Sequence, residues 1–282
     1  MGIYLRPTSM QQAVAALADR RLAVLAGGTD FYPARVGGAL DEDVLDVTAI
    51  AELRGVRDLG THWRIGAATT WTGLIEADLP PLFDGLKLAA REIGGIQIQN
   101  AGTIGGNLCN ASPAADGVPA LLALDAWLEL ADVHGLRVLN LVEFIRGNRR
   151  TALASNQIVT AICVPRPRHR AVSHFFKLGA RRYLVISIAM ASGVLEIAAG
   201  RIAAARIAVG ACSEVACRLP MVEAALIGTG VMDDLPAHLD AAQLAPLAPI
   251  DDVRASAAYR RDAALEVLRR LLGDLGQRAR MS

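Results

Sequence analysis

The segment Gly102-Thr103-Ile104-Gly105-Gly106-Asn107-Leu108-Cys109-Asn110-Ala111-Ser112-Pro113 constrains this chain more than any other. Five glycines fall between Gly94 and Asn110, and the stretch shows no helical period. Glycine pairs let a backbone turn sharply and approach a ligand closely. Thr103, Asn107, Asn110 and Ser112 add hydroxyl and amide groups, and Asp116 follows on the expected first turn of a helix that opens at Pro113 and carries Leu121, Leu122 and Leu124. An ordinary turn does not need so many small polar groups in succession. The set suits a ligand with phosphates and several hydroxyls, although a polar loop satisfied by its own Asx and Ser/Thr turns has the same composition.

A second segment has the same character. Leu22 to Ala26 reads as a short buried strand that runs into Gly27-Gly28-Thr29-Asp30. Successive amides there can form an anion-binding nest, and a helix starting at Asp30 or Phe31 would add its positive end. Neither segment contains Lys or Arg, so a diphosphate held here relies on amide dipoles. Neither is Gly-x-Gly-x-x-Gly, no Gly-Lys-Ser/Thr follows, and no Gly-x-Ser-x-Gly elbow occurs.

The remaining pattern is mixed α and β. Ser9 and Thr8 are helix-cap candidates with Gln12 and Gln11 at capping-box spacing, ahead of Ala13, Val14 and Leu17. Val44–Val47, Trp63–Ala67, Trp127–Ala131, Arg137–Leu139 and Ile158–Val164 read as strands, and Pro80–Ile93 as a helix. Pro165-Arg166-Pro167-Arg168 interrupts the pattern and marks the expected domain boundary. Beyond it, Leu184–Ala191, Val194–Ala198 and Ile202–Val209 read as successive β segments, Leu219–Ile227 and Ser256–Leu272 as helices, and 235–250 as an ordered loop.

Composition excludes several classes. With 282 residues, 29 basic against 28 acidic side chains and 4% aromatics, neither a nucleic-acid coat nor a single-strand stacking platform is expected. Cys109, Cys163, Cys212 and Cys217 form no Cys-x-x-Cys pair, and His62, His134, His169, His174 and His238 are scattered, which is poor material for a zinc or iron–sulfur site. The start of the chain carries no long apolar leader, and the apolar run from Tyr183 to Gly200 contains Glu196, so no membrane span and a cytoplasmic, reduced-thiol protein are expected.

The pair Ala26-Gly27-Gly28-Thr29-Asp30 and Thr103-Ile104-Gly105-Gly106-Asn107 resembles the FAD-binding medium subunit of the molybdenum hydroxylases, the xanthine dehydrogenase and carbon monoxide dehydrogenase family. Gln97–Asn100, Ala111–Asp116, Pro119–Ala126, Phe175-Phe176-Lys177 with Arg181-Arg182, Gly210–Cys212 and Glu223–Gly228 extend the resemblance along nearly the whole chain. It implies an α+β protein: a two-part FAD-binding domain of the vanillyl-alcohol-oxidase-like type over 1–168 (subdomains 1–55 and 56–168), then a C-terminal domain of antiparallel sheet with helices over 169–282. The cofactor is FAD. Its expected neighbours are Leu25, Ala26, Gly27, Gly28, Thr29, Asp30, Gly102, Thr103, Ile104, Gly105, Gly106, Asn107 and Asp116, the two glycine segments bracketing the pyrophosphate and ribityl chain. Lys177 is expected near the flavin ring, and Ile158 and Val159 on a strand against the cofactor. Gln99 stands where many relatives have Arg. The implied partners are a large molybdopterin subunit and a small 2Fe–2S subunit, in a dimer of heterotrimers, with electrons passing from the clusters through FAD to an external acceptor. The other readings are a stand-alone FAD oxidoreductase, for which no acid or base stands out, and a catalytically silent nucleotide-binding module.

Overall fold

The computed structural model describes residues 2–36, 41–181 and 184–281. Arg182 and Tyr183, which figure in the sequence reading, lie outside the described residues. In chain order the strands are β1 (Tyr4–Leu5), β2 (Ala23–Leu25), β3 (Val44–Asp46), β4 (Val56–Asp58), β5 (His62–Gly66), β6 (Trp127–Asp132), β7 (Gly135–Asn140), β8 (Ile145–Gly147), β9 (Arg150–Thr151), β10 (Ile158–Pro165), β11 (Arg170–Leu178), β12 (Ala189–Ala198), β13 (Arg201–Gly210) and β14 (Cys217–Arg218). The helices are α1 (Met10–Asp19), α2 (Trp71–Glu76), α3 (Asp84–Glu92), α4 (Ile96–Ala101), α5 (Ile104–Asn110), α6 (Gly117–Ala123), α7 (Leu141–Phe144), α8 (Pro220–Leu226) and α9 (Ala257–Met281).

The chain forms two interleaved units. One comprises Met1–Ala77, Ile96–Ala111 and Ala126–Val164; the other comprises Asp78–Gly95, Ser112–Asp125 and Pro165–Ser282. The chain passes from the first to the second at Pro165, but 78–95 and 112–125 also belong with the C-terminal residues.

The first unit holds a three-stranded sheet of order β1-β3-β2, parallel throughout, and a five-stranded sheet of order β4-β5-β10-β6-β7. α1 begins at the expected cap: Ser9 accepts from the Gln12 amide, while Gln12 Oε1 accepts from the amide one residue before the cap, that of Thr8, at 3.0 Å. Its Ala13 and Leu17 pack with Leu22, Leu45, Ile50, Ala131 and Ile158 in one apolar cluster. Asp46, at the end of β3, is only 5% exposed and accepts from Tyr4 Oη at 2.6 Å and the Thr48 amide at 2.8 Å. Because Asp46 pairs with Leu25, these bonds fix the strand that leads into the first glycine segment.

The second unit is a four-stranded antiparallel sheet of order β11-β12-β13-β14. Val267, Leu268, Leu271, Leu272 and Leu275 of α9 share its core with Leu195, Ile207 and Leu226. The split expected between Ala191 and Val194 does not occur: β12 runs through Ser192 and Gly193. A Cβ on Gly193 would sit 2.7 Å from both Ile207 and Leu275, so the absent side chain makes room for β13 and α9 rather than ending the strand. The 235–250 segment is ordered by two short 3₁₀ turns with Leu235, Leu244 and Leu247 buried. α9 extends to Met281, past the expected Leu272, since Leu275 and Ala279 continue its buried stripe.

Three further local expectations are corrected. The region 94–110 is helical, as α4 and α5: Ile104 and Leu108 form a buried i, i+4 pair, and tertiary bonds offset the low helix propensity of glycine. No α-helix follows Asp30. Tyr32 N bonds to Gly28 O and Ala34 N to Asp30 O, but Pro33 has no amide to link them, and a 3₁₀ turn at Pro33–Arg35 results. The helix expected from Pro113 opens only at Gly117, because Ser112 closes a turn first: its Oγ accepts from Ala114 N at 3.3 Å and its carbonyl from Ala115 N. Asp116 therefore sits at the N-cap. Among the described residues, no helix is long and apolar enough to cross a membrane.

Candidate functional site

Gly27–Asp30 and Gly102–Ala111 lie in the first unit, and Ser112 and Pro113 in the second. β2 delivers Leu25 and Ala26 into a turn in which Gly28 adopts φ 73°, a left-handed conformation open to glycine at little cost. A Cβ on Gly28 would also lie 2.8 Å from the Tyr32 ring. A Cβ on Gly27 would lie 2.0 Å from Ala101 O and 2.8 Å from Gly102 Cα, so this glycine is the point where the first segment rests on the second, backbone against backbone. Thr29 Oγ1 would be 3.4 Å from a Cβ on Gly102. The segments thus meet directly at Gly27, which leaves no passage for a ligand at that point; the expected bracketing is limited to the residues beyond it. The amides of Gly27, Gly28, Thr29 and Asp30 donate to no other atom among the described residues, and all four residues are at least partly exposed.

The second segment behaves differently from the expected amide nest. Thr103 is extended and caps α5: its Oγ1 accepts from Gly106 N at 3.1 Å, and its carbonyl accepts from Asn107 N at 3.0 Å. Ile104 N donates to Thr69 O at 3.0 Å, and Gly105 N to Ala67 O at 2.8 Å. The amides from Ile104 to Asn107 are therefore committed inside the protein. Gly105 is needed for this docking, since a Cβ there would stand 2.7 Å from Ala67 O. What remains available is the Asn107 side chain, whose Oδ1 is buried without any partner. A buried acceptor without a donor costs free energy, and a ligand hydroxyl would satisfy it. Asn110 is engaged by Arg149, a cation that the sequence reading did not connect with this segment.

Asp116 and Lys177 belong to the second unit. Lys177, on β11, is no solvated strand residue: its side chain is 5% exposed, its Nζ lies 2.7 Å from Asp116 Oδ2, and it donates to Glu92 O at 3.1 Å. Ser187 donates to Asp116 Oδ1 at 2.5 Å. Burial raises the Asp116 carboxyl above its ordinary value, against the opposite pull of the Lys177 ammonium and the Ser187 hydroxyl. No sequence signal links Ser187 to this pair; it stands just before β12, next to Ile188, whose amide bonds to Leu178 O at the end of β11. Ile158 and Val159 lie on β10, each 4% exposed, with Ile158 inside the apolar cluster under α1. Gln99 is buried in α4.

The chemistry of this set fits a flavin dinucleotide. Four open amides suit phosphate oxygens. The orphaned Asn107 oxygen requires a hydroxyl or N–H donor, and sugar-like hydroxyls provide one.

Residues 1–167 match the FAD binding domain in molybdopterin dehydrogenase, and 174–275 match the CO dehydrogenase flavoprotein C-terminal domain. The chain is 33% identical to the carbon monoxide dehydrogenase medium chain of Afipia carboxidovorans, over 98% of this chain and 97% of that one. It is 29% identical to the nicotine 6-hydroxylase medium subunit of Paenarthrobacter nicotinovorans, with the same coverage of both. A solved structure of reconstituted CO dehydrogenase from Oligotropha carboxidovorans superposes with a TM-score of 0.89 at 30% identity, over 99% of this chain and 98% of that chain. The chain belongs to the family of FAD-binding medium subunits of molybdopterin-dependent dehydrogenases.

Proposed function

We propose that this chain is the FAD-holding, electron-transfer subunit of a molybdenum hydroxylase complex. The observation that carries this reading is that one unit holds both four open amides at Gly27–Asp30 and the unpartnered Asn107 oxygen, on two segments that touch at Gly27. The amides donate to the cofactor pyrophosphate, and Asn107 Oδ1 accepts from one of its hydroxyls. Leu25, Ala26, Gly102, Thr103, Ile104, Gly105 and Gly106 set the backbone that presents these groups. Asp116, Lys177, Ile158 and Val159 enter the proposed site by resemblance. Lys177 has one N–H beyond those directed at Asp116 and Glu92, which it can offer to a ligand.

Bound FAD supplies the redox chemistry, and the protein supplies position and polarity. Electrons arrive from 2Fe–2S clusters on a small subunit, after substrate oxidation at the molybdopterin of a large subunit, and leave to an external acceptor. The proposed assembly is a dimer of such heterotrimers in the cytoplasm. We also propose the division at about residue 168 as the border between the FAD-binding domain and the C-terminal domain; the two family matches, which end at 167 and begin at 174, support it.

Purification of the full chain tests this reading. About one acid-releasable FAD per chain is expected, and coexpression with candidate large and small subunits should yield a complex of all three. A colourless chain that takes up no added FAD would overturn the assignment.

A further inference from the structure

We propose that His62, Glu129 and Cys163 form a binding site for a zinc-class divalent cation on the five-stranded sheet of the first unit. The three residues come from the neighbouring strands β5, β6 and β10. One ring nitrogen of His62, one carboxylate oxygen of Glu129 and Cys163 Sγ lie within 4.8 Å of one another. The register explains the juxtaposition. Glu129 pairs with Ala161, and Trp127 pairs with Cys163, so Glu129 and Cys163 share one face of the antiparallel β6–β10 pair.

The donor set is the mixed nitrogen, sulfur and oxygen type that zinc accepts, and it leaves a fourth position for water. With metal–ligand bonds of about 2.0–2.3 Å, ligand atoms of a tetrahedral zinc stand about 3.3–3.8 Å apart. Cys163 Sγ and Glu129 Oε1 are 3.6 Å apart, the separation such a cation needs. A second layer is also present. Arg64 Nε holds Glu129 Oε2 at 2.8 Å and leaves Oε1 toward the sulfur. Thr61 Oγ1 stands 2.9 Å from His62 Nδ1, and the His62 ring lies against Trp127 at 5.2 Å. Outer contacts of this kind orient ligating carboxylates and imidazoles. A thiolate and a carboxylate together balance the charge of a dication. Binding displaces the thiol proton to solvent, and no redox change is involved.

The test uses the untagged full chain, reduced, stripped of metal and loaded with FAD. Cobalt(II) is titrated and read as a difference spectrum against the same flavoprotein without cobalt. One equivalent of cobalt is expected, with thiolate-to-cobalt charge transfer and tetrahedral ligand-field bands that one equivalent of zinc removes. Cys163→Ser should abolish the charge-transfer band, whereas Cys109→Ser should leave it intact. His62→Ala and Glu129→Gln should each weaken cobalt binding at least tenfold, with unchanged far-ultraviolet circular dichroism and flavin content. Absence of a charge-transfer band at stoichiometric cobalt, or its survival in Cys163→Ser, would overturn the proposal. If Cys163→Ser does not fold, unchanged cobalt affinity in folded His62→Ala and Glu129→Gln would overturn it equally.

Discussion

Replacement of Gly27 by alanine tests the point on which the site is built. The added Cβ would lie 2.0 Å from Ala101 O, whereas real Cβ atoms essentially never approach closer than 3.0 Å. The two segments would have to part by the difference, 1.0 Å, and all three obstructing atoms, Ala101 O, Ala101 C and Gly102 Cα, are main chain. No rotamer change relieves that clash. Overpacking by one methyl group costs about 1–3 kcal/mol, and an obstruction made of backbone belongs at or above the upper end, about 3 kcal/mol. For a chain of this size that corresponds to a melting temperature about 6–12 °C lower. The assay is thermal unfolding of the flavin-free protein, followed by FAD titration through flavin fluorescence, so that stability and cofactor affinity are read separately. Both should fall. Gly106→Ala is the internal comparison: the atom it meets is a side-chain atom, the Thr103 hydroxyl at 2.8 Å, whose shift costs no more than the α5 cap bond it accepts from Gly106 N, about 1 kcal/mol, so its melting temperature should fall by less than half as much. If Gly27→Ala melts within about 1 °C of wild type and keeps its flavin affinity, the direct contact between the segments is not what organises the site.

Asn107→Ala should leave flavin-free stability unchanged or slightly higher, because it removes an unpartnered buried oxygen. FAD affinity should fall by roughly 5- to 150-fold, the equivalent of about 1–3 kcal/mol for one lost hydrogen bond; equilibrium titration checks it, and unchanged affinity would remove Asn107 from the site. Lys177→Met leaves the buried Asp116 carboxylate without its counter-charge and should cost about 3–5 kcal/mol, while Lys177→Met with Asp116→Leu should recover much of that loss. Urea unfolding compares the two, and equal losses would contradict a coupled pair. Burial pushes the Asp46 carboxyl up, but bonds from Thr48 and Tyr4 and the charge of Arg6 outweigh it, so the folded group titrates below its ordinary value. Its stabilisation is therefore complete at neutral pH and is lost as pH falls below about 4. Acid unfolding followed by circular dichroism should show a shallower pH dependence in Asp46→Asn, together with lower stability at pH 7.

The large elements were legible because their signals are local. The Ser9–Gln12 cap, the α9 stripe and the strand that runs into Pro165 each follow from spacing that neighbouring residues enforce, whereas β11 carries no such signal and β12 begins at Ala189 rather than Leu184. The misread parts depend on distant partners. α5 forms from a glycine-rich run because the carbonyls of Ala67 and Thr69 anchor its first amides, and nothing within 94–110 announces them. The continuity of β12 through Ser192 and Gly193 is not legible either, because what Gly193 provides, space for Ile207 and Leu275, lies on two other elements. The cluster of His62, Glu129 and Cys163 is invisible for the same reason: each residue is isolated in the sequence, and only sheet order joins them.

The same distinction separates the two glycine segments chemically. From sequence they look equivalent, two runs of small residues without cations, each able to offer amides to an anion. The fold divides the labour. In 102–107 the glycines serve internal packing: Gly102 and Gly105 accept close backbone neighbours, and the amides that an anion would use close onto Ala67, Thr69 and Thr103. In 27–30 the amides donate to no other atom among the described residues, with Gly27 backed by the second segment and Gly28 turned left-handed. The second segment is therefore the support and the first is the grip. It follows that a charge introduced at Gly28 should abolish flavin binding in a folded protein, whereas one introduced at Gly105 should first unfold the unit that carries both.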